Sequence, residues 1–115
     1  MNVTFYDANP RLRRERGANF GRVLARFFAN GREHDPVVVE FMHPDVYRVD
    51  EVQVEVLNPE EFPDGVSDAF VEAARRYYAR TLAGEGRQVR GYEGEPAAPI
   101  GTAWSVDVDA RERDN

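Results

Sequence analysis

Hydrophobic positions along the chain change their period several times, and each change predicts an element. Val3 and Phe5 alternate with Asn2, Thr4 and Tyr6, the pattern of a short strand, and the turn-forming run Asp7–Pro10 ends it. Phe20, Val23, Leu24, Phe27 and Phe28 then fall at i, i+3, i+4, i+7 and i+8. That stripe predicts a helix from near Ala18, stopped by Asn30 and Gly31. Carrying the helix back to Pro10 would put Arg13 and Arg16 on the stripe and crowd cations at the positive end of its dipole. Arg11–Gly17 therefore reads as a loop or an exposed first turn.

Val37, Val39 and Phe41 mark a strand that stops before His43–Pro44. Alternation returns over Tyr47–Leu57, with Val52, Val54 and Val56 inward and Gln53 and Glu55 outward, and the short connection predicts an antiparallel hairpin. Asn58–Glu61 reads as the cap and first turn of a short helix, with proline at its favoured first position, and Pro63–Asp64–Gly65 breaks it. Over Ser67–Ala83 the helical repeat is sustained by Phe70, Ala73, Ala74, Tyr77, Tyr78, Thr81 and Leu82, with Ser67 as cap and Gly84 as stop. Adjacent tyrosines do not both point straight inward, which predicts one of Tyr77 and Tyr78 at a contact surface. Residues 84–99 form a Gly/Pro-rich loop with at most a brief strand at Val89, and Ile100–Asp109 alternates as a final strand. The charged residues 110–115 read as a disordered tail.

The predicted order is β-α-β-β-α-β, an α+β domain over residues 1–109. In it a four-stranded, mostly antiparallel sheet carries two helices on one face, and a ferredoxin-like arrangement is one topology with that order. A chain of 115 residues is one domain, able to bury roughly two-thirds of its unfolded surface without metals or disulfides. Absence of cysteine excludes disulfides, thiol catalysis and cysteine-bound zinc. No signal-like start and no apolar run of membrane-spanning length are present, which predicts a soluble, cytoplasmic chain with no membrane partner.

Charge changes the picture most. Residues 1–32 hold seven arginines against Asp7 and Glu15, and residues 33–72 hold twelve carboxylates against Arg48 alone. Residues 73–115 balance at seven of each sign. A basic segment beside an acidic one points to contacts within or between molecules rather than to chemistry. Every cation is arginine, so Schiff-base catalysis and a P-loop lysine are excluded, while bidentate pairing with carboxylates is favoured.

Candidate chemistry adds little to this. Arg11, Arg13, Arg14 and Arg16 could clamp phosphates, but no aromatics interleave with them and the acidic remainder repels a polyanion, which disfavours nucleic acid. His34 and His43 each adjoin an acid, yet they flank a strand and would stand about 30 Å apart, so they read as polar strand ends and no metal is expected. Pro44–Asp45 followed by Glu51–Val52–Gln53 carries part of a magnesium-nuclease pattern with glutamine in place of its lysine. Neither Ser67 nor Ser105 lies in a nucleophile elbow. Gly84, Gly86, Gly91 and Gly94 follow a helix, whereas a phosphate cradle needs glycines before one, so they read as loop flexibility.

The stretch DEVQVEVLNPEEFPDGVSDAFVEAARRYYARTL, residues 50–82, with the element order over residues 18–109, resembles the tail-terminator and tail-completion proteins of long-tailed viruses. The N-terminal strand and the arginine-rich arm depart from that pattern. The resemblance implies a small, ring-forming structural subunit, located in a virion, with no catalytic residues and no cofactor. The charge sorting suits such a ring, whose contacts join two different surfaces. The expectation is a non-enzymatic interaction protein that binds copies of itself or a protein partner. Its arm, Arg11, Arg13, Arg14 and Arg16, would dock on a neighbour's acidic segment at Asp50, Glu51, Glu60, Glu61 and Asp64. The alternative is a small monomeric regulatory or anti-defence protein acting on nucleic acid or on a nucleic-acid enzyme.

Overall fold

Alternation, rather than helical spacing, governs the N-terminal third of the chain. The computed structural model describes residues 1–15, 18–29, 31–43, 48–49 and 52–108. Its elements are β1 (Asn2–Glu15), β2 (Ala18–Ala29), β3 (Arg32–Glu33), β4 (Val37–His43), β5 (Arg48–Val49) and β6 (Gln53–Val56). A 3-10 turn (Pro59–Glu61), α1 (Asp68–Gly84), β7 (Gln88–Val89) and β8 (Trp104–Asp107) follow. The main sheet runs β6-β4-β2-β1-β8 with β3 attached to β2, and every pairing in it is antiparallel. Short β5 and β7 pair in parallel apart from it.

The predicted two-helix, four-stranded β-α-β-β-α-β arrangement is therefore corrected: this is a largely β protein, a six-stranded sheet with a single α-helix among the described residues. The predicted helix from Ala18 is strand β2. Asn19, Gly21, Val23, Ala25 and Phe27 are buried on one face of β2, while Phe20, Arg22, Leu24, Arg26 and Phe28 take the other. The apparent helical stripe mixed Phe20, Leu24 and Phe28 from the outer face with Val23 and Phe27 from the inner one. Gly31, at φ 79°, turns the chain from β2 into β3 instead of ending a helix. Asp7–Pro10 likewise does not end β1. The register with β2 shifts between Tyr6 and Asn9 and again between Asn9 and Arg13, and Asp7 at φ 54° marks the first irregularity.

The strand expected over Tyr47–Leu57 is in the main sheet only as β6, β5 pairing with β7 instead, and the final strand expected over Ile100–Asp109 is shortened to β8, with Ile100 54% exposed on a turn rather than facing inward. Strands β4 and β6 form the antiparallel hairpin, with Val54 and Val56 packed toward the core and Gln53 and Glu55 exposed. Asn58 anchors their far end, its side chain accepting from Val38 N–H (2.9 Å) and donating to Pro36 C=O (3.0 Å). Ser67 Oγ accepts from Phe70 N–H at 3.1 Å and caps α1. In β8, Trp104 and Val106 pack inward and Ser105 and Asp107 are exposed.

Helix α1 lies on the inner face, where Val3, Phe5, Val23, Val37, Val39 and Phe41 are all fully buried. Tyr77 and Tyr78 are each only 1% exposed, so the expectation that one of them faces outward is corrected. They splay to opposite sides of the helix. Tyr77 lies against Phe5 (5.7 Å between centroids) and donates to Thr102 C=O at 2.6 Å. Tyr78 stacks on Phe41 at 4.2 Å and its hydroxyl meets His43 Nε2 at 2.8 Å. Burial pushes both phenol pKa values up, so both remain neutral hydrogen-bonding groups.

The Gly/Pro-rich segment after α1 is anchored rather than loose. Glu95 accepts from Arg76 Nε and Arg80 Nε, each at 2.9 Å, and both guanidinium groups lie over the Trp104 ring. Ala98 N–H bonds Arg80 C=O at 2.9 Å, and the Ala98 carbonyl occupies the space a Cβ on Gly84 would need. Partial burial pushes the Glu95 carboxyl up, but the two guanidinium hydrogen bonds prevail and hold it below its ordinary range.

Gly21 is the position where the sheet admits the Tyr78 ring: a Cβ there would sit 2.7 Å from ring carbons that stacking and the His43 bond hold in place. Gly21→Ala should cost about 1–3 kcal/mol through overpacking, read as a lower urea midpoint with unchanged slope. Glu95→Gln should cost about 1 kcal/mol at neutral pH, discounted for partial exposure. Because the Glu95 pKa is depressed in the fold, this stabilisation is present above the unfolded carboxylate pKa and lost as pH falls through the folded one. The difference between parent and variant should therefore shrink in acid, in denaturation curves taken across that range.

Candidate functional site

The arginines of the predicted arm belong to a strand. Arg11, Arg13 and Arg14 lie on the distal half of β1, so their reading as a loop is corrected, while Arg16 lies outside the described residues. Arg13 stands opposite Phe20 and Arg14 opposite Asn19 in the β1–β2 register. Strand β8 covers the other side of β1 only at Asn2–Phe5. Beyond Phe5, β1 is an edge of the sheet among the described residues.

The acidic half of the predicted site divides. Asp50 and Glu51 lie outside the described residues. Glu60 and Glu61 sit on the 3-10 turn and Asp64 on the bend after it. That segment is held by Phe62, buried and stacked on Phe27 at 4.7 Å. Glu61 approaches His34 Nδ1 at 4.0 Å, and Glu60 and Asp64 are exposed with no ion pair among the described residues. The turn thus sits at the Phe27 end of β2, whereas Arg13 and Arg14 sit at the Phe20 end. Seven strand residues, about 23 Å, separate the two ends, beyond the reach of an arginine side chain. Among the described residues, the backbone of the arm and the acidic turn are not brought together within one molecule.

It does bring together a set of residues that charge counting along the sequence passed over. On the face opposite α1, cross-strand registers define a charged row, Asn9–Arg22–Glu40–Glu55, and two flanking rows, Tyr6–Leu24–Val38 and Phe20–Met42–Gln53. Among the described residues no helix or second sheet covers this face. Arg26 lies over the Tyr6 ring at 4.8 Å, and Phe28 remains 56% exposed. A shallow depression of about 370 Å³ runs between Phe20, Glu40, Met42, Gln53 and Glu55. The available signal was period-2 alternation, which places Arg22, Glu40 and Glu55 on one face once β2 is read as a strand.

The two histidines are not polar strand ends, as their sequence positions suggested: both are buried. His43 is fully buried against Tyr78, and His34 stacks on Phe27 at 4.7 Å. No group of three His, Cys, Asp or Glu suited to a metal occurs among the described residues. Of the nuclease-like pattern, Asp45 and Glu51 lie outside the described residues, and Gln53 is exposed on β6. Among the described residues no helix is long and apolar enough to cross a membrane.

No protein-family model, no curated protein and no solved structure matches the chain.

With Glu60 and Asp64 exposed and unpaired, Glu60→Gln with Asp64→Asn should change the stability of the isolated chain by less than about 0.5 kcal/mol. A larger loss in urea denaturation would show that these carboxylates serve the fold rather than standing free for another molecule.

Proposed function

We propose that this chain is a non-enzymatic assembly subunit that associates with copies of itself or with a protein partner. Its arginine arm, Arg11, Arg13, Arg14 and Arg16, meets acidic surface on the neighbour, with Asp50, Glu51, Glu60, Glu61 and Asp64 as the acidic group. The observation that carries this reading is the placement of Arg13 and Arg14 at one end of β2 and of Glu60–Asp64 at the other. Opposite charges sorted to opposite ends of one sheet neutralise each other only between molecules. On the sheet face opposite α1, exposed Phe28 beside half-buried Leu24 adds apolar area of the kind that contacts use.

A viral tail is one setting for such a subunit. The resemblance in the run 50–82 and in the element order over residues 18–109 supports it through the β4–β6 hairpin, α1 and β8, although the first helix in that order is strand β2. A ring joins two different surfaces of the same chain, which suits this distribution of charge.

Absolute mass by light scattering at low and high salt tests the reading. The parent should form a discrete oligomer that weakens with salt, and Arg13→Glu with Arg14→Glu should weaken association at least tenfold with an unchanged circular dichroism spectrum. A double variant that assembles normally overturns the role of the arm. A parent that is monomeric at both salts overturns self-association.

A further inference from the structure

The outer edge of β6 has the pattern of a strand that pairs with itself. Leu57 N–H donates to Val38 C=O at 2.9 Å, and the β4–β6 register sets Glu55 against Glu40. Backbone groups of an antiparallel strand point alternately to either side. Glu55 and Leu57 therefore bond to β4, while the N–H and C=O of Val54 and Val56 point away from it. Among the described residues no strand pairs with that edge. Proline and bulges, two devices that blunt an edge, are absent from Gln53–Val56. The side chains alternate too, with half-buried Val54 and Val56 on the inner face and exposed Gln53 and Glu55 on the outer one.

The strand at the other end of the sheet does not complement this edge. Successive antiparallel pairings make β6 and β8 run the same way. Strand β8 stands opposite Asn2–Phe5 of β1, level with Ala25–Phe27 of β2, whereas β6 is level with Phe20–Val23. A copy displaced sideways thus offers β8 parallel to β6 and beyond its end. A twofold axis perpendicular to the sheet instead offers a second β6, antiparallel and level, with both helices on one side. Keeping inner face with inner face leaves two central registers. Glu55 opposite its counterpart sets like charges together. Val54 opposite its counterpart joins the outward backbone groups of both chains and sets Gln53 opposite Glu55 twice, an amide donor against a carboxylate.

We propose that two copies of this chain join through β6, about a twofold axis at Val54, so that their two sheets become one. This rests on the reading of the chain as a subunit that binds copies of itself, and it adds an isologous contact to that of the arm. Pairing satisfies the outward backbone groups of Val54 and Val56 and covers the half-buried valines beneath them. The Arg75 guanidinium lies 3.4 Å from Val52 C=O, whose second lone pair remains for Val56 N–H of the other copy.

Exchanging the two polar residues tests it. Gln53→Glu sets carboxylates against carboxylates and should weaken the parent's self-association at least tenfold, read by light scattering on dilution. Gln53→Glu with Glu55→Gln reverses both sides of each pair and should restore it. An oligomer unchanged by Gln53→Glu overturns pairing at β6 while leaving the assembly reading in place; a monomeric parent overturns the assembly reading itself. The lack of native cysteine permits a second measurement. Chains carrying Gln53→Cys or Glu55→Cys should stay unlinked when each is oxidised alone, because each position lies about 7–8 Å from its own counterpart. Their mixture should give a disulfide-linked dimer, since the two positions form a pair about 4.5 Å apart at Cα. Linkage of the Glu55→Cys chain alone overturns the register, and a mixture that stays unlinked overturns the pairing.

Discussion

The fit of α1 onto the inner face of the sheet is the contact on which the remaining structure depends. A helix about 10–12 Å wide has to cover a sheet whose five-strand path spans about 19 Å. Small residues at Ala73 and Ala74 bring the helix close, and the neighbouring tyrosines extend its coverage sideways. Tyr77 reaches the β1 and β8 side, toward Phe5 and Trp104, while Tyr78 reaches β4, toward Phe41 and His43. Each phenol ends in a polar partner, so the breadth comes without an unsatisfied buried hydroxyl. Gly21 leaves the recess that Tyr78 fills, and a buried histidine at the end of β4 follows from the same demand.

Among the described residues, one helix on the main sheet leaves its other face and its edges to account for. Charge on that face is arranged by register, and Arg22, Glu40 and Glu55 line up only because β2, β4 and β6 are adjacent strands. The arm is continuous with the sheet, so forces applied to it are carried by the backbone ladder into the core.

Much of the fold was legible in the order of residues, and the failures have physical causes. The strands at Val37 and Val54, the helix after Ser67 and the strand at Trp104 follow from unambiguous periods and good caps. Strand β2 did not, because outer-face residues spaced by four satisfy a helix and a strand alike. Its inner-face residues Gly21 and Ala25 were too small to announce the alternation. Asn30–Gly31 serves as a helix stop in one reading, and in the other it is the strongest two-residue hairpin signal. The proposed contact residues are legible as a basic block and an acidic block along the chain. Which charged residues share a row, as Arg22, Glu40 and Glu55 do, depends on strand adjacency, information that no linear count contains.

The pairing of β1 with β8 joins residues about a hundred positions apart, Asn2 with Asp107 and Phe5 with Trp104. As the chain is synthesised, β1, β2, β4 and α1 emerge long before the strand that flanks the start of β1. Until then Phe5 lacks the Trp104 ring beside it, and the backbone of Asn2–Phe5 has one side exposed to any other strand. Final closure must wait for a contact of very high sequence separation, the kind that folds slowly. The clamp of Arg76 and Arg80 on Glu95 shortens that search, since it holds the returning chain against α1 before β8 docks. Until β8 arrives, the nascent chain exposes apolar surface and an unpaired strand edge, the features that make folding intermediates prone to association.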